Sequence, residues 1–136
     1  MIAKLVTVLA ILSIGGAINT AAAQQAPTEN KGVKIGEQLA GFALGKLGLD
    51  DLSQRQMRTR QVTIEPGGAT ALHSHKDLPS LTYIMKGSLT EHRKGSPDRI
   101  YKAGEVITET TDVEHWAENI SSTEPAILIS TGLFKQ

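Results

Sequence analysis

Apolar and polar residues alternate in short runs through most of this chain. The segments "RQVTIEP" (60–66), "SLTYIMKG" (80–87), "SLTEHR" (88–93), "RIYKAG" (99–104), "EVITET" (105–110) and "AILISTGLF" (126–134) are rich in Val, Ile, Thr and Tyr, and Gly, Pro, Ser and Asp turns divide them. Runs of this length predict strands, and a regular series of them predicts an all-β sandwich or barrel. Only residues 36–56 ("GEQLAGFALGKLGLDDLSQRQ") have the length for a helix. Their glycines oppose it, since each costs about 1 kcal/mol relative to Ala in a helix interior. The part after residue 23 shows no internal repeat and no low-complexity tract.

The first residues follow a different pattern. Lys4 precedes an apolar run from Leu5 to Ile18, and Ala21, Ala22 and Ala23 lead into polar Gln24. The run is shorter than the roughly 20 apolar residues a membrane span needs, and Gly15 and Gly16 interrupt it. A short apolar core ending in small residues is the pattern of a secretory signal peptide. The expectation is therefore residues 1–23 as signal peptide and a periplasmic or secreted product, with no membrane contact after processing. Residues 24–57 then read as a polar, mobile leader ("QQAPTENKGV", 24–33) and an N-terminal strand region, and residues 58–136 as the barrel. A chain of 136 residues has room for one such domain.

Charge narrows the range of partners. The 14 Lys and Arg balance 14 Asp and Glu, and a nucleic-acid binder would be expected to carry a basic stripe for phosphates. The nearest stretch, Arg55 to Arg60, is interleaved with polar residues at strand spacing and reads as a solvated strand face. No nucleic acid is expected as a partner. Cysteine is absent, so neither disulfides nor thiolate chemistry is available, and stability must come from the core or from a metal.

The chemistry-bearing residues are histidines. His73 and His75 stand two apart after a glycine turn, which on a strand points both rings to one face. Two such imidazoles are half of a metal site. Downstream, in "GEVITETTDVEHWAEN", His115 precedes Asn119 by four residues. Trp116 alternates away from His115 and reads as core or interface, while His92 has no partner at a telling spacing and reads as a surface residue.

These spacings resemble the two motifs of the cupin superfamily. Gly67, His73, His75 and Gly87 fall where the first motif has Gly, five residues, His-x-His and a closing Gly; Gly104, His115 and Asn119 fall at the second motif's Gly, His and Asn. The similarity runs from about residue 58 to 131. It implies an all-β fold, a single cupin jelly-roll barrel (double-stranded β-helix). It also implies that His73, His75 and His115 converge inside the barrel on a divalent transition metal ion: iron, manganese, zinc, nickel or copper. The chain departs from the motifs at three positions. Ser80 stands where the family has its metal-binding Glu, and Thr110 and Asp112 stand for the usual Pro and Gly.

Glu91 is the candidate replacement carboxylate. A two-residue hairpin at Lys86-Gly87 would set Ser80 opposite Arg93 and Thr82 opposite Glu91, turning Glu91 inward as a displaced ligand or as a catalytic base near metal-bound water. A bulge in that hairpin would instead send Glu91 to solvent and turn His92 inward. The expected function is an exported small cupin-fold protein that binds a divalent metal through three histidines and a small-molecule ligand or substrate. In one form it is a metal-dependent enzyme. In another it is a non-catalytic binding or sensing module whose metal is structural or absent. A metal-free, self-associating protein is a third form, and pairing of exposed sheet edges would make a homodimer. No arginine clamp for a carboxylate stands out near the histidines.

Overall fold

The computed structural model describes residues 24–136. The expected signal peptide, residues 1–23, lies outside the described residues. Nine antiparallel strands hold more than half of the described residues: β1 (Lys31–Ala43), β2 (Arg55–Ala69), β3 (His73–Ser74), β4 (Ser80–Lys86), β5 (Ser88–Arg93), β6 (Arg99–Lys102), β7 (Val106–Glu109), β8 (Glu114–Glu118) and β9 (Ala126–Lys135). They hydrogen-bond in the order β6-β5-β8-β2-β9-β4-β7, with β1 added to β2 and β3 to β8. The sheet curls into a nearly closed barrel, the jelly roll expected from the motifs.

Residues 36–56, the one stretch long enough for a helix, form none: β1 continues to Ala43, and only two short 3-10 turns, Leu44–Leu47 and Asp50–Leu52, intervene before β2. The glycines and the long pairing of β1 with β2 decide for the strand. The hairpin between residues 80–86 and 88–93 does not form. β4 pairs with β7 and β9, while β5 pairs with β6 and β8. The chain crosses between the two halves of the barrel at Gly87, whose φ of 77° lies in the left-handed region. A Cβ there would stand 2.8 Å from the Pro125 carbonyl oxygen, so both conformation and space require glycine.

The leader is also held more firmly than its composition suggests. The Leu72 N–H donates to the Pro27 carbonyl at 2.9 Å, and the Ala71 N–H donates to Asn30 Oδ1 at 2.8 Å. These contacts brace the backbone just ahead of His73.

Alternation sorts the side chains. Ile64, Ile84, Leu89, Tyr101, Ile107, Ala117, Ala126 and Leu128 form one buried cluster. On β4, Ser80, Thr82 and Ile84 point inward while Leu81, Tyr83 and Met85 face solvent. An inward face that carries hydroxyls at one end and Ile84 at the other divides the interior into a polar end and an apolar floor. At full burial each large aliphatic side chain of that floor contributes roughly 1.5–3 kcal/mol. The turn after β8 is fixed by Asn119, 1 % exposed, whose amide donates to the carbonyls of Ile64 and Glu124 at 3.0 and 2.7 Å and accepts from the Ser121 N–H at 3.1 Å.

Candidate metal centre

The polar end of the barrel gathers three of the four histidines. His73 and His115 are register partners across β3 and β8, and His75 follows two residues on, its N–H bonded to the Val113 carbonyl at 2.9 Å. Their Nε2 atoms form a triangle with sides of 3.1 Å (His75 to His73), 3.1 Å (His75 to His115) and 3.2 Å (His115 to His73). Nitrogens bound to one metal at about 2.0–2.1 Å stand about 2.9 Å apart at right angles and about 3.4 Å apart at tetrahedral angles. The observed triangle falls between the two.

The far side of each ring determines what these nitrogens can do. His73 Nδ1 is 2.9 Å from the Ala71 carbonyl, His75 Nδ1 is 2.9 Å from the Leu78 carbonyl, and His115 Nδ1 is 2.6 Å from Glu91 Oε1. All three of these partners are acceptors, so each Nδ1 donates and the neutral ring keeps a bare lone pair on Nε2. Three lone pairs pointed at one another within 3.2 Å cannot satisfy each other as hydrogen bonds. They suit a cation at their centre, and carbonyl or carboxylate partners behind the rings are the usual second layer of a histidine metal site. His73 lies at the exposed side of the group. Burial of its ring still holds it below the ordinary imidazole value, against the hydrogen bond to Ala71, and the neighbouring His115 and His75 act in the same direction as burial. The neutral form is the one that ligates.

Glu91 is buried at 3 % exposure but stands behind His115, on the opposite side of the ring from the Nε2 triangle. Burial by itself would raise its carboxyl. The hydrogen bonds from His115 and from Arg93, at 2.9 Å, outweigh burial and hold it below the usual carboxylate range. The carboxylate that does face the triangle is Glu109, at the end of β7: its Oε1 is 3.5 Å from His115 Nε2 and 3.8 Å from His75 Nε2. Ser80, where a metal-binding Glu was expected, donates its hydroxyl hydrogen to Glu109 Oε2. The sequence reading passed over Glu109. Alternation could have found it, because Ile107 and Glu109 share a face and Ile107 is 2 % exposed.

The histidines line a cavity of about 350 Å³ whose walls include Val62, Ile64, Leu89, Ile107 and Leu128. Arg60 lines it too. The expectation of a solvated face for Arg55 to Arg60 therefore fails at Arg60, which shares the inward side of β2 with Val62 and Ile64. The guanidinium of Arg60 is held near the Phe134 ring, 5.5 Å from its centroid, and its Nε is buried without a hydrogen-bond partner. His92 is also less exposed than expected: its ring stacks on Trp116 at 3.8 Å and lies 2.9 Å from Asp98 and 3.1 Å from Glu118. It takes no part in the triangle.

Comparison with known proteins agrees with this architecture. The family model described as "Cupin domain" matches residues 60–132. No curated protein matches the sequence. Among solved structures, KdgF from Halomonas sp. superposes with a TM-score of 0.59 at 13 % identity, covering 77 % of this chain and 82 % of that one. A cupin-like protein from Thermotoga maritima gives 0.57 at 20 %, covering 85 % and 88 %. Oxalate oxidase in complex with the substrate analogue glycolate gives 0.55 at 18 %, covering 77 % of this chain and 55 % of its own. At these identities the structural likeness concerns the fold. With both motif histidine sets in place and the family model spanning residues 60–132, the chain belongs to the cupin domain family.

Proposed function

We propose that this protein holds a divalent transition metal through His73, His75 and His115 and presents it to a small organic acid in the barrel cavity. The observation that carries the reading is the convergence of three Nε2 atoms within 3.2 Å of one another, each ring having its Nδ1 within 2.9 Å of a carbonyl or carboxylate acceptor. When bound there, a divalent metal supplies a Lewis-acid centre with coordination positions open towards the cavity. The chain's own residues do the rest. Apolar walls exclude water, and Arg60 is the single Lys or Arg among the lining residues, giving the cavity a positive group suited to a carboxylate. Glu91 holds the His115 ring in orientation rather than touching a substrate, because it does not line the cavity.

The apolar run Leu5–Ile18 followed by Ala21-Ala22-Ala23 supports export as part of the same proposal. The test is elemental analysis of untagged protein beginning at Gln24, as purified and after anaerobic reconstitution with iron, manganese, zinc, nickel or copper. Near-stoichiometric uptake of one of them, lost in His75→Ala, is the expected result. No uptake of any would end the metal-centre reading.

A further inference from the structure

We propose that Glu109 is the fourth ligand of the metal centre, the carboxylate having moved across one strand pairing from position 80 to position 109. The proposal rests on the three-histidine reading and extends it to a residue that lies outside both histidine motifs.

Ser80 and Glu109 are register partners on β4 and β7. Both point into the barrel, at 7 % exposure each. A ligand lost from one of two such positions can be replaced from the other, because facing side chains on one sheet surface start only about 4.5–5.5 Å apart at Cβ. The carboxylate of Glu109 is divided between two tasks. Oε2 accepts hydrogen bonds from the Ser80 and Thr82 hydroxyls, the latter at 3.1 Å. Thr82 has Ser130 Oγ at 3.2 Å as well, which ties the group to β9. Oε1 is left facing the histidines at 3.5 and 3.8 Å. Ser80 has thus become the group that positions the carboxylate.

The surroundings of Oε1 indicate what it faces. No Lys or Arg pairs with Glu109 among the described residues; the ring nitrogens within 4 Å of its Oε1 are those of His75 and His115. Both rings have Nδ1 against an acceptor, the Leu78 carbonyl at 2.9 Å and Glu91 Oε1 at 2.6 Å, which leaves Nε2 as the atom that each turns towards Glu109. A buried carboxylate without a cation is costly, and here its free oxygen faces two of the three converging nitrogens. The atoms mutually within 4.8 Å are those of the three histidines, so Oε1 completes the shell by a small side-chain rotation towards a cation bound there. The competing arrangement is an imidazolium at His115 between Glu91 and Glu109, but 3.5 Å is long for the hydrogen bond this needs. It would also leave His73 and His75 unexplained.

The test compares four forms of the protein beginning at Gln24: wild type, Glu109→Gln, Glu109→Ser, and the swap Ser80→Glu with Glu109→Ser. Zinc affinity is read by competition with a chromophoric chelator, and the ligand field by the visible spectrum of the cobalt-substituted protein. Glu109→Gln keeps shape and removes charge. It should lose more zinc affinity than the roughly 10–100-fold typical of losing a partner behind a ligand, and change the cobalt spectrum. Without metal it should melt no lower than wild type, since a buried uncompensated charge is gone. The swap should recover most of the affinity that Glu109→Ser alone gives up. Wild-type affinity and spectrum in Glu109→Gln, or a swap no better than Glu109→Ser, would overturn the relocation while leaving three-histidine binding intact. A wild type that takes up no metal would overturn both readings together.

Discussion

Glu91 accepts a 2.6 Å hydrogen bond from His115 Nδ1 on the side of the ring that faces away from His73 and His75. Arg93 donates to the same oxygen at 2.9 Å, so the carboxylate is itself held while it holds the imidazole. Fixing the ring this way selects the tautomer whose Nε2 is free to bind. Glu91→Gln keeps an acceptor but removes the charge that favours a donating Nδ1. Metal affinity should fall roughly 10–100-fold, with the cobalt spectrum close to that of wild type because no ligand is lost. A chelator titration alongside Glu109→Gln separates the two carboxylates. Equal losses and equal spectral changes would refute the distinction between them.

The three converging lone pairs have a consequence for stability. A metal present at 100 times its dissociation constant should add about 2.7 kcal/mol to unfolding, which for a domain of this size is a rise on the order of 10 °C in melting temperature. Chelation should reverse it. In His75→Ala the metal-dependent rise should vanish. The melting temperature of that variant should be the same with and without added metal. Calorimetry with and without chelator measures both, and a metal-independent melting temperature in wild type would count against the centre.

How much of this was legible in the residues alone depends on which regularity each feature obeys. The histidines were legible because strand alternation and motif spacing both act over a few residues. For Glu91 the spacing left two directions open, inward or to solvent, both argued from a hairpin between β4 and β5 that does not exist. It is 3 % exposed because it shares a face of β5 with Leu89, and β5 lies against β8 and β6. Its role could not be read, since nothing local says that Glu91 lies behind His115 and Glu109 in front of it. That difference is set by which strands adjoin in the closed barrel, a relationship between residues 24 positions apart for Glu91 and His115 and 29 apart for Ser80 and Glu109. Arg60 was hidden for another reason: charge argued for solvent, while its same-face neighbours Val62 and Ile64 argued for the interior, and the latter governed.

The crossover at Gly87 gives a test of the fold that leaves the metal aside. With φ at 77° and the Pro125 carbonyl oxygen 2.8 Å from any added Cβ, Gly87→Ala must both strain the backbone and displace residue 125. A loss of at least about 1 kcal/mol is expected, read from the urea midpoint of the metal-free protein. An unchanged midpoint would mean that the crossover tolerates a side chain and that β4 and β5 are joined differently.

Export makes a separate prediction. Expressed with its first 23 residues in a bacterial host, the protein should be recovered outside the cytoplasm with an N-terminus at or near Gln24 by mass spectrometry. A full-length chain retained in the membrane fraction would replace the signal-peptide reading with an anchor.

Arg60 links stability to ligand class. Its guanidinium is pushed below its ordinary value by burial first and by the neighbouring Arg58 second, its Nε has no hydrogen-bond partner, and among the described residues the Lys and Arg ion pairs are made by Lys34, Arg93, Lys94 and Lys135 and not by Arg60. A cation kept in an apolar cavity at such a disadvantage is the kind of site at which activity and stability trade against each other. Arg60→Met preserves length and apolar contact with Phe134 while removing the charge. Without ligand it should melt at or above the wild-type temperature. Zinc affinity should be unchanged, because Arg60 touches none of the three histidines. Binding of glycolate to the zinc-loaded protein should weaken by at least about tenfold, roughly 1.4 kcal/mol, whereas binding of glycolamide, which has no carboxylate, should not. Calorimetric titration of both ligands into both proteins decides it: equal losses for the acid and the amide would show that Arg60 shapes the cavity without recognising charge.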